Sequence, residues 1–166
     1  AHFLDAGSSQ WDLAGSGDVF VETGNLLEDT SSFTYSGIGT TSVISTDYYD
    51  LTLSSIGGSP TYTATGLGIQ VFGDMQVGGA STTIVNFDTN DPALNVDGDF
   101  IITSNGTFIA SDSNSFTIAG SYDNNGTYSA SGGTVTFDGA GAETIAAGTS
   151  DFATVDITGT GSFSVT

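Results

Sequence analysis

Carboxylates carry almost all of the chemistry that this sequence offers. The 166 residues include 19 Asp and Glu, no Lys or Arg, no Cys and one His. Acidic and amide side chains cluster in several turn-like segments, and such oxygens are the ligands that Ca²⁺ prefers. The candidate calcium ligands are Asp88, Asp91, Asp97, Asp99 and Asp123. Their spacing matches neither an EF-hand nor a calcium-binding nonapeptide, so an acidic surface balanced by diffuse counterions is the alternative.

Enzymatic catalysis has little support in these residue types. Ser has no His partner apart from His2 near the start of the chain, so activation of a nucleophile in a triad is not expected. Asp97 and Asp99 are two residues apart, a spacing that would place both carboxyls on one strand face for glycan hydrolysis. Acidic glycans would need a cation that the chain lacks. We expect a protein that is not an enzyme and has no cofactor beyond calcium.

The charge balance narrows the possible partners. A formal net charge of −19 without any Lys or Arg excludes direct binding to nucleic acid or to an anionic membrane surface. No apolar run approaches the roughly 18 residues of a membrane-spanning helix, so no membrane insertion is expected. Copies of the same chain and neutral glycans remain as partners.

Two tripeptides satisfy the acceptor rule for N-glycosylation. Asn105 and Asn125 each begin an Asn-Gly-Thr sequence. Asn-Gly is also a favoured turn dipeptide, so a structural role is the alternative for both.

Apolar residues alternate with polar ones through most of the chain. In the segment 94–103, for example, Leu94, Val96, Phe100 and Ile102 would share one face of an extended strand. No segment keeps the spacing of an amphipathic helix. The pattern predicts an all-β fold.

Internal repetition favours one all-β architecture over another. VFGDMQV from Val71, VDGDFII from Val96 and IAGSYDN from Ile118 share one pattern, at spacings of 25 and 22 residues. Repeats of this length predict a parallel β-solenoid of about seven coils, a rod about 34 Å long at a strand spacing of about 4.8 Å. An antiparallel β-sandwich or jelly roll that receives a donated strand is the alternative.

A similarity between two more distant segments suggests the domain organisation. FTYSGIGTTSV from Phe33 resembles VTFDGAGAETI from Val135. Residues 31–166 are therefore predicted to form a single solenoid domain that ends within a second copy of a roughly 100-residue repeat. Residues 1–30 fall outside the pattern and are predicted to be an N-terminal cap or an arm exchanged between copies.

The segment 133–161, GTVTFDGAGAETIAAGTSDFATVDITGTG, resembles the repeat of large secreted β-helical surface proteins of the adhesin type. The match is carried by Gly133, Thr134, Val135, Thr136, Phe137, Gly139, Thr144, Ile145, Phe152, Val155 and Ile157. The resemblance implies an extracellular or cell-surface module and implies no catalytic residues.

These observations predict a non-enzymatic extracellular structural protein. It would be a subunit of a surface filament, fibre or adhesin stalk, assembled without covalent bonds by head-to-tail stacking of β-strands. The residues expected at the two ends of the stack are Trp11, Val19, Val21, Phe163 and Val165. The alternative function is a glycan- or surface-binding adhesin module in which Tyr48, Tyr49 and Tyr62 stack on sugars.

Overall fold

The computed structural model describes residues 3–166, which leaves His2 outside the described part. In this range the chain forms 21 short strands and no helix, so it contains no helix long and apolar enough to cross a membrane. The prediction of an all-β fold is confirmed.

The strands line three faces of a rod. The eight-strand face consists of β2 (Gln10–Leu13), β4 (Ser32–Tyr35), β7 (Asp50–Leu53), β10 (Met75–Val77), β13 (Phe100–Ile102), β16 (Tyr122–Asn124), β19 (Ala142–Ala146) and β21 (Ser162–Val165). The five-strand face consists of β5 (Thr41–Val43), β8 (Thr61–Ala64), β11 (Thr83–Asn86), β14 (Gly106–Ile109) and β17 (Thr127–Ser129). The six-strand face consists of β6 (Asp47–Tyr48), β9 (Gly68–Val71), β12 (Ala93–Val96), β15 (Phe116–Ile118), β18 (Thr134–Phe137) and β20 (Thr154–Ile157). A separate two-stranded ladder pairs β1 (Phe3–Asp5) with β3 (Asn25–Leu27).

The chain visits the three faces in a fixed order. It runs from the six-strand face around a first corner to the eight-strand face, around a second corner to the five-strand face, and around a third corner back. Strands that pair within the described part of the chain are parallel throughout, as in β7–β10–β13. The chain is thus a parallel β-solenoid of about seven coils, as predicted, and not the alternative antiparallel sandwich.

The short repeats mark successive coils. Val71 stacks on Val96 and Val96 on Ile118, so the spacings of 25 and 22 residues are the lengths of single coils. The two Asn-Gly-Thr segments are also equivalent, because Thr107 lies directly beside Thr127 in the ladder. The repeat prediction is confirmed at this scale.

The expectation of one continuous strand over 94–103 is wrong. The chain turns the first corner at residues 97–99, between β12 and β13, and so passes from one face to the next. Leu94, Val96, Phe100 and Ile102 nevertheless all point inward. A solenoid corner preserves the inward and outward alternation, and for this reason a period of two runs through it unbroken.

The two segments of the longer sequence similarity lie on different faces of the rod. Phe33 lies in β4 on the eight-strand face, whereas Val135 lies in β18 on the six-strand face. Residues 3–30 wind as the other coils do, with β2 paired in parallel to β4. The roles of this segment as a cap or as an exchange arm stay predictions.

The interior is a stack of aromatic and aliphatic rungs. In one central coil each face contributes one ring: Phe100, Phe108 and Phe116 have centroids 4.9–5.5 Å apart. Phe100 also stacks on Tyr122 of the next coil, with centroids 5.8 Å apart and planes 7° apart. Burial of each such ring stabilises the rod by about 1.5–3 kcal/mol.

Candidate functional site

The last rung of the solenoid is the clearest candidate site. Within the described residues, β20 pairs only with β18 and β21 only with β19. Val155 and Ile157 of β20 are 44 % and 51 % exposed, and Val165 of β21 is 72 % exposed. The alternating pattern that buries apolar residues elsewhere in the rod here leaves them open to solvent.

The backbone of β21 offers hydrogen-bond groups at its open edge. The N–H groups of Ser162 and Thr166 donate to the carbonyl oxygens of Gly141 and Ile145, on the β19 side, at 2.8 and 3.1 Å. Because alternate residues of a strand direct their N–H groups to opposite sides, those of Phe163 and Val165 face outward along the rod. An unpaired edge of this kind can pair with another strand.

The residues predicted at the two ends of the stack occupy different environments. Trp11 is half-buried, and its ring stacks on Phe33 with centroids 5.6 Å apart. Val19 packs partly against the core, whereas Val21 is 68 % exposed. Phe163 also packs partly against the core and Val165 is exposed. Val21 and Val165 are therefore the accessible members of the set.

A ladder of side-chain acceptors runs along the first corner. Asp50 accepts a hydrogen bond from the N–H of Asp74 at 2.9 Å, and Asp74 accepts one from Asp99 at 2.8 Å. Asp99 accepts from Ser121 at 2.7 Å, and the Ser121 hydroxyl accepts from Thr144 at 3.1 Å. Five successive coils are tied together in this way. Sequence reasoning missed the ladder, although the repeated Gly-Asp of the short motif was its signal.

Glycine is needed immediately before three of these four acceptors, Asp74, Asp99 and Ser121. A Cβ atom at Gly98 would collide with the carbonyl oxygen of Gly73 and with the Asp74 carboxyl group, and one at Gly120 with the carbonyl oxygen of Gly98. The backbones of neighbouring coils approach too closely there for any side chain. The Gly-Asp motif is thus explained by structure, with no ligand required.

Three carboxylates meet at the third corner. Oxygens of Asp88, Asp91 and Asp112 lie within 4.8 Å of one another. Partial desolvation raises the pKa of Asp91, but hydrogen bonds from Ser111, from Ser113 and from Asp112 outweigh it and lower that pKa below its ordinary value. Ca²⁺ takes about six to eight oxygens, so backbone or water oxygens would have to complete a shell. Calcium at this corner stays a prediction, and sequence reasoning missed Asp112.

The other predicted calcium ligands lie apart from this group. Asp97 follows β12 and accepts a hydrogen bond from Asn95 at 2.9 Å, whereas the Asp99 carboxyl group belongs to the first-corner ladder. Asp123 lies on β16 and accepts from Asn125 at 2.9 Å. Because the chain turns at residues 97–99, Asp97 and Asp99 do not project from one strand face, as the hydrolase alternative required.

The two candidate glycosylation sites lie in the second corner of successive coils. Asn105 and Asn125 are both exposed. The side-chain nitrogen of Asn105 donates to the carbonyl oxygens of Gly79 and Ala80, at 3.0 and 3.3 Å, and that of Asn125 donates to Asp123. Both amides are exposed and both also hold the turn, so glycosylation stays a prediction.

The tyrosines considered for sugar stacking are mostly interior residues. Tyr48 and Tyr62 are fully buried, and Tyr49 is half-buried. The Tyr62 hydroxyl donates to the carbonyl oxygen of Gly37 at 2.7 Å, and burial raises the pKa of Tyr62 to about 12. Tyr48 and Tyr62 therefore cannot present a ring to a glycan.

A cleft with a volume of about 400 Å³ lies beside the first coils. Val21, Phe20 and Ile44 give it an apolar part, and Asp18 and Glu22 give it carboxylates. Its lining includes the hydroxyls of Ser45 and Thr65 but no basic side chain.

Comparison of the chain with protein-family models, with curated proteins and with solved structures finds no match. The resemblance to β-helical adhesin repeats stays a prediction from the sequence.

Proposed function

We propose that this protein is an extracellular, non-enzymatic structural module, a subunit of a surface filament or stalk. Its copies stack head to tail, so that the last rung of one solenoid pairs with the first rung of the next. The composition supports noncovalent assembly, because a chain without Lys cannot form isopeptide cross-links through a side-chain amine.

The observation that carries the proposal is the repeating parallel register, which gives β20 and β21 the same backbone groups and apolar positions as every earlier rung. Within the described residues, β21 directs the N–H groups of Phe163 and Val165 away from β19, and apolar residues of β20 and β21 are exposed. At the other end of the eight-strand face, β2 pairs only with β4 among the described strands. Parallel strands repeat the same hydrogen-bond pattern at every rung, and the two ends of one rod are therefore complementary.

The composition supports an exposed setting for such a rod. A chain without Lys or Arg offers no cleavage site to trypsin-like proteases. The net charge of −19 keeps rods soluble and prevents indiscriminate association. Stacked backbone hydrogen bonds along three faces supply stiffness.

Electron microscopy of the purified chain tests the proposal, together with the variant Val165→Pro. Proline removes the outward N–H of residue 165 and leaves the bonds from Ser162 and Thr166 intact. We expect wild-type filaments with a subunit repeat of about 34 Å, seven coils at about 4.8 Å each. Val165→Pro should give short rods.

The matched control is Val165→Thr, which keeps both the N–H group and the β-branched shape. It should form filaments as the wild type does. Dispersed wild-type rods at every concentration, or filaments of equal length with Val165→Pro, would contradict head-to-tail stacking.

A further inference from the structure

The acidic residues are confined to part of the rod surface. The segments that form the second corner and the five-strand face of five successive coils contain no Asp or Glu; they are 36–44, 54–64, 78–86, 103–110 and 125–130. We refer to the surface of these segments as the uncharged side. A molecule with a net charge of −19 thus has one long side without formal charge.

Hydroxyl and methyl groups cover the uncharged side. On the five-strand face the register places the outward side chains in two columns. One column is Thr61, Ile84, Thr107 and Thr127, and the other is Ser42, Thr63, Asn86, Ile109 and Ser129. At the adjoining second corner Ile38 and Ile56 are 64 % and 72 % exposed. Exposed apolar residues on an uncharged surface are typical of a protein contact.

The two corners that bound the six-strand face carry carboxylates that repel a second copy. The first corner carries the ladder of Asp50, Asp74 and Asp99, and the third corner carries the carboxylates around Asp91. No Lys or Arg is present to offset like charges brought together across a contact. Two copies can therefore approach closely side by side only through surfaces without carboxylates.

We propose that the uncharged side is the surface through which copies of this chain associate laterally. Five strands at about 4.8 Å and strands of three or four residues at about 3.3 Å per residue give a face of about 250 Å². This area is far below the roughly 800 Å² per partner of a stable interface. Lateral association therefore rests on the proposed function. If copies stack head to tail, each filament presents the same small contact many times, and the repeated contacts together hold two filaments side by side. The occupant is a second rod, and the product is a bundle.

A matched pair of single substitutions tests the proposal. Thr63→Asp places a carboxylate in the middle of the uncharged side, next to Ser42 and Asn86. The control Thr117→Asp makes the same change on the six-strand face, at a half-buried outward position between Asn95 and Thr136. Both side chains point away from the core, and circular dichroism and melting temperature check that both variants fold.

Sedimentation velocity and filament width in electron micrographs are measured from low to high NaCl. For the wild type we expect lateral association that strengthens with salt, because salt screens the repulsion between the acidic sides. Thr63→Asp should weaken it by about tenfold or more. Thr117→Asp should leave it within about twofold of the wild type.

Equal weakening by both variants, or no change with Thr63→Asp, would overturn the proposal. Wild-type filaments that remain one rod wide at high salt would also overturn it. Filament length and width separate the two proposals: Val165→Pro should shorten filaments without preventing pairing, whereas Thr63→Asp should give long single filaments. Rods that pair sideways but never elongate would refute head-to-tail stacking and leave the lateral contact standing.

Discussion

The central coils, residues 47–137, and the final coil, residues 138–166, share one sequence pattern and differ in what covers it. Leu94 and Val96 of β12 are 2 % and 0 % exposed, whereas Val155 and Ile157 of β20 are about half exposed. All four alternate with polar residues in strands of one face. Burial in a solenoid is therefore decided by the neighbouring rungs as much as by the strand's own sequence.

The final coil also departs from the central coils in construction. It has no strand on the five-strand face, and Phe152 from an irregular segment packs against Tyr122, Tyr128 and Phe137 instead. Glu143 lies two residues before the buried Ile145, the position that glycine takes in earlier coils. Its buried carboxyl group accepts a hydrogen bond from Gly141 at 2.6 Å. The final coil is the less regular and less covered part of the rod.

Removal of one ring from each region measures this difference directly. Phe100→Ala deletes a fully buried ring that contacts three other aromatic rings from β14, β15 and β16. We expect it to lower the free energy of unfolding by about 3–5 kcal/mol. Phe163→Ala deletes a half-buried ring of the last rung and should cost less than about 1.5 kcal/mol. Guanidinium unfolding checks both values, and equal losses would show that the last rung is as well packed as the centre.

Alkaline pH should act on the regular part of the rod, because the final coil has no tyrosine. Burial raises the pKa of Tyr62 to about 12 and raises those of Tyr35, Tyr48, Tyr122 and Tyr128 above the ordinary value. The unfolded chain ionises its tyrosines near pH 10 and the folded chain does so at higher pH. Stability is therefore full below pH 10 and falls as the pH rises above it.

Thermal melts between about pH 8 and pH 12, with tyrosinate absorbance recorded in parallel, test this expectation. Tyrosinate absorbance from these five residues should rise together with unfolding. A melting temperature that stays constant up to about pH 12 would contradict the burial of these five tyrosines.

The first-corner ladder offers a smaller contrast between the regions. Asp99→Ala removes the acceptor for the N–H of Ser121 and should lower the free energy of unfolding by about 1 kcal/mol. Asp99→Asn keeps an acceptor oxygen and should retain most of this contribution. Asp138 of the final coil is exposed, so Asp138→Ala should leave stability within about 0.5 kcal/mol of the wild type. If urea unfolding gave the same midpoint for Asp99→Ala and Asp138→Ala, the ladder would contribute nothing to stability.

The strand content and the coil length could be predicted from the sequence because both depend on local patterns. A period of two marks strands, and the repeated Gly-Asp segments mark equivalent corners. Alternation alone does not reveal the corner at residues 97–99, because it continues through the turn; the Gly98-Asp99 dipeptide was the signal for it. The unbroken alternation made Asp97 and Asp99 resemble a pair on one strand.

The candidate sites could not be predicted in full, because the residues in each depend on which coil stacks on which. Asp112 joins Asp88 and Asp91 only because β14 stacks on β11, a register that spacing alone does not supply. The uncharged side is visible in the sequence as five segments without Asp or Glu. Its meaning appears only when the fold assigns all five segments to one side of the rod. The exposure of β20 and β21 also depends on the stack and on nothing within those strands.

Hydrogen exchange as a function of protein concentration tests head-to-tail stacking most directly. At low concentration the amides of Phe163 and Val165 should exchange rapidly, while those of β13 in the central coils should be strongly protected. At concentrations that favour assembly, the two edge amides should become protected through pairing with the first rung of another copy. Protection of Phe163 and Val165 that does not change with concentration while assemblies form would contradict the account.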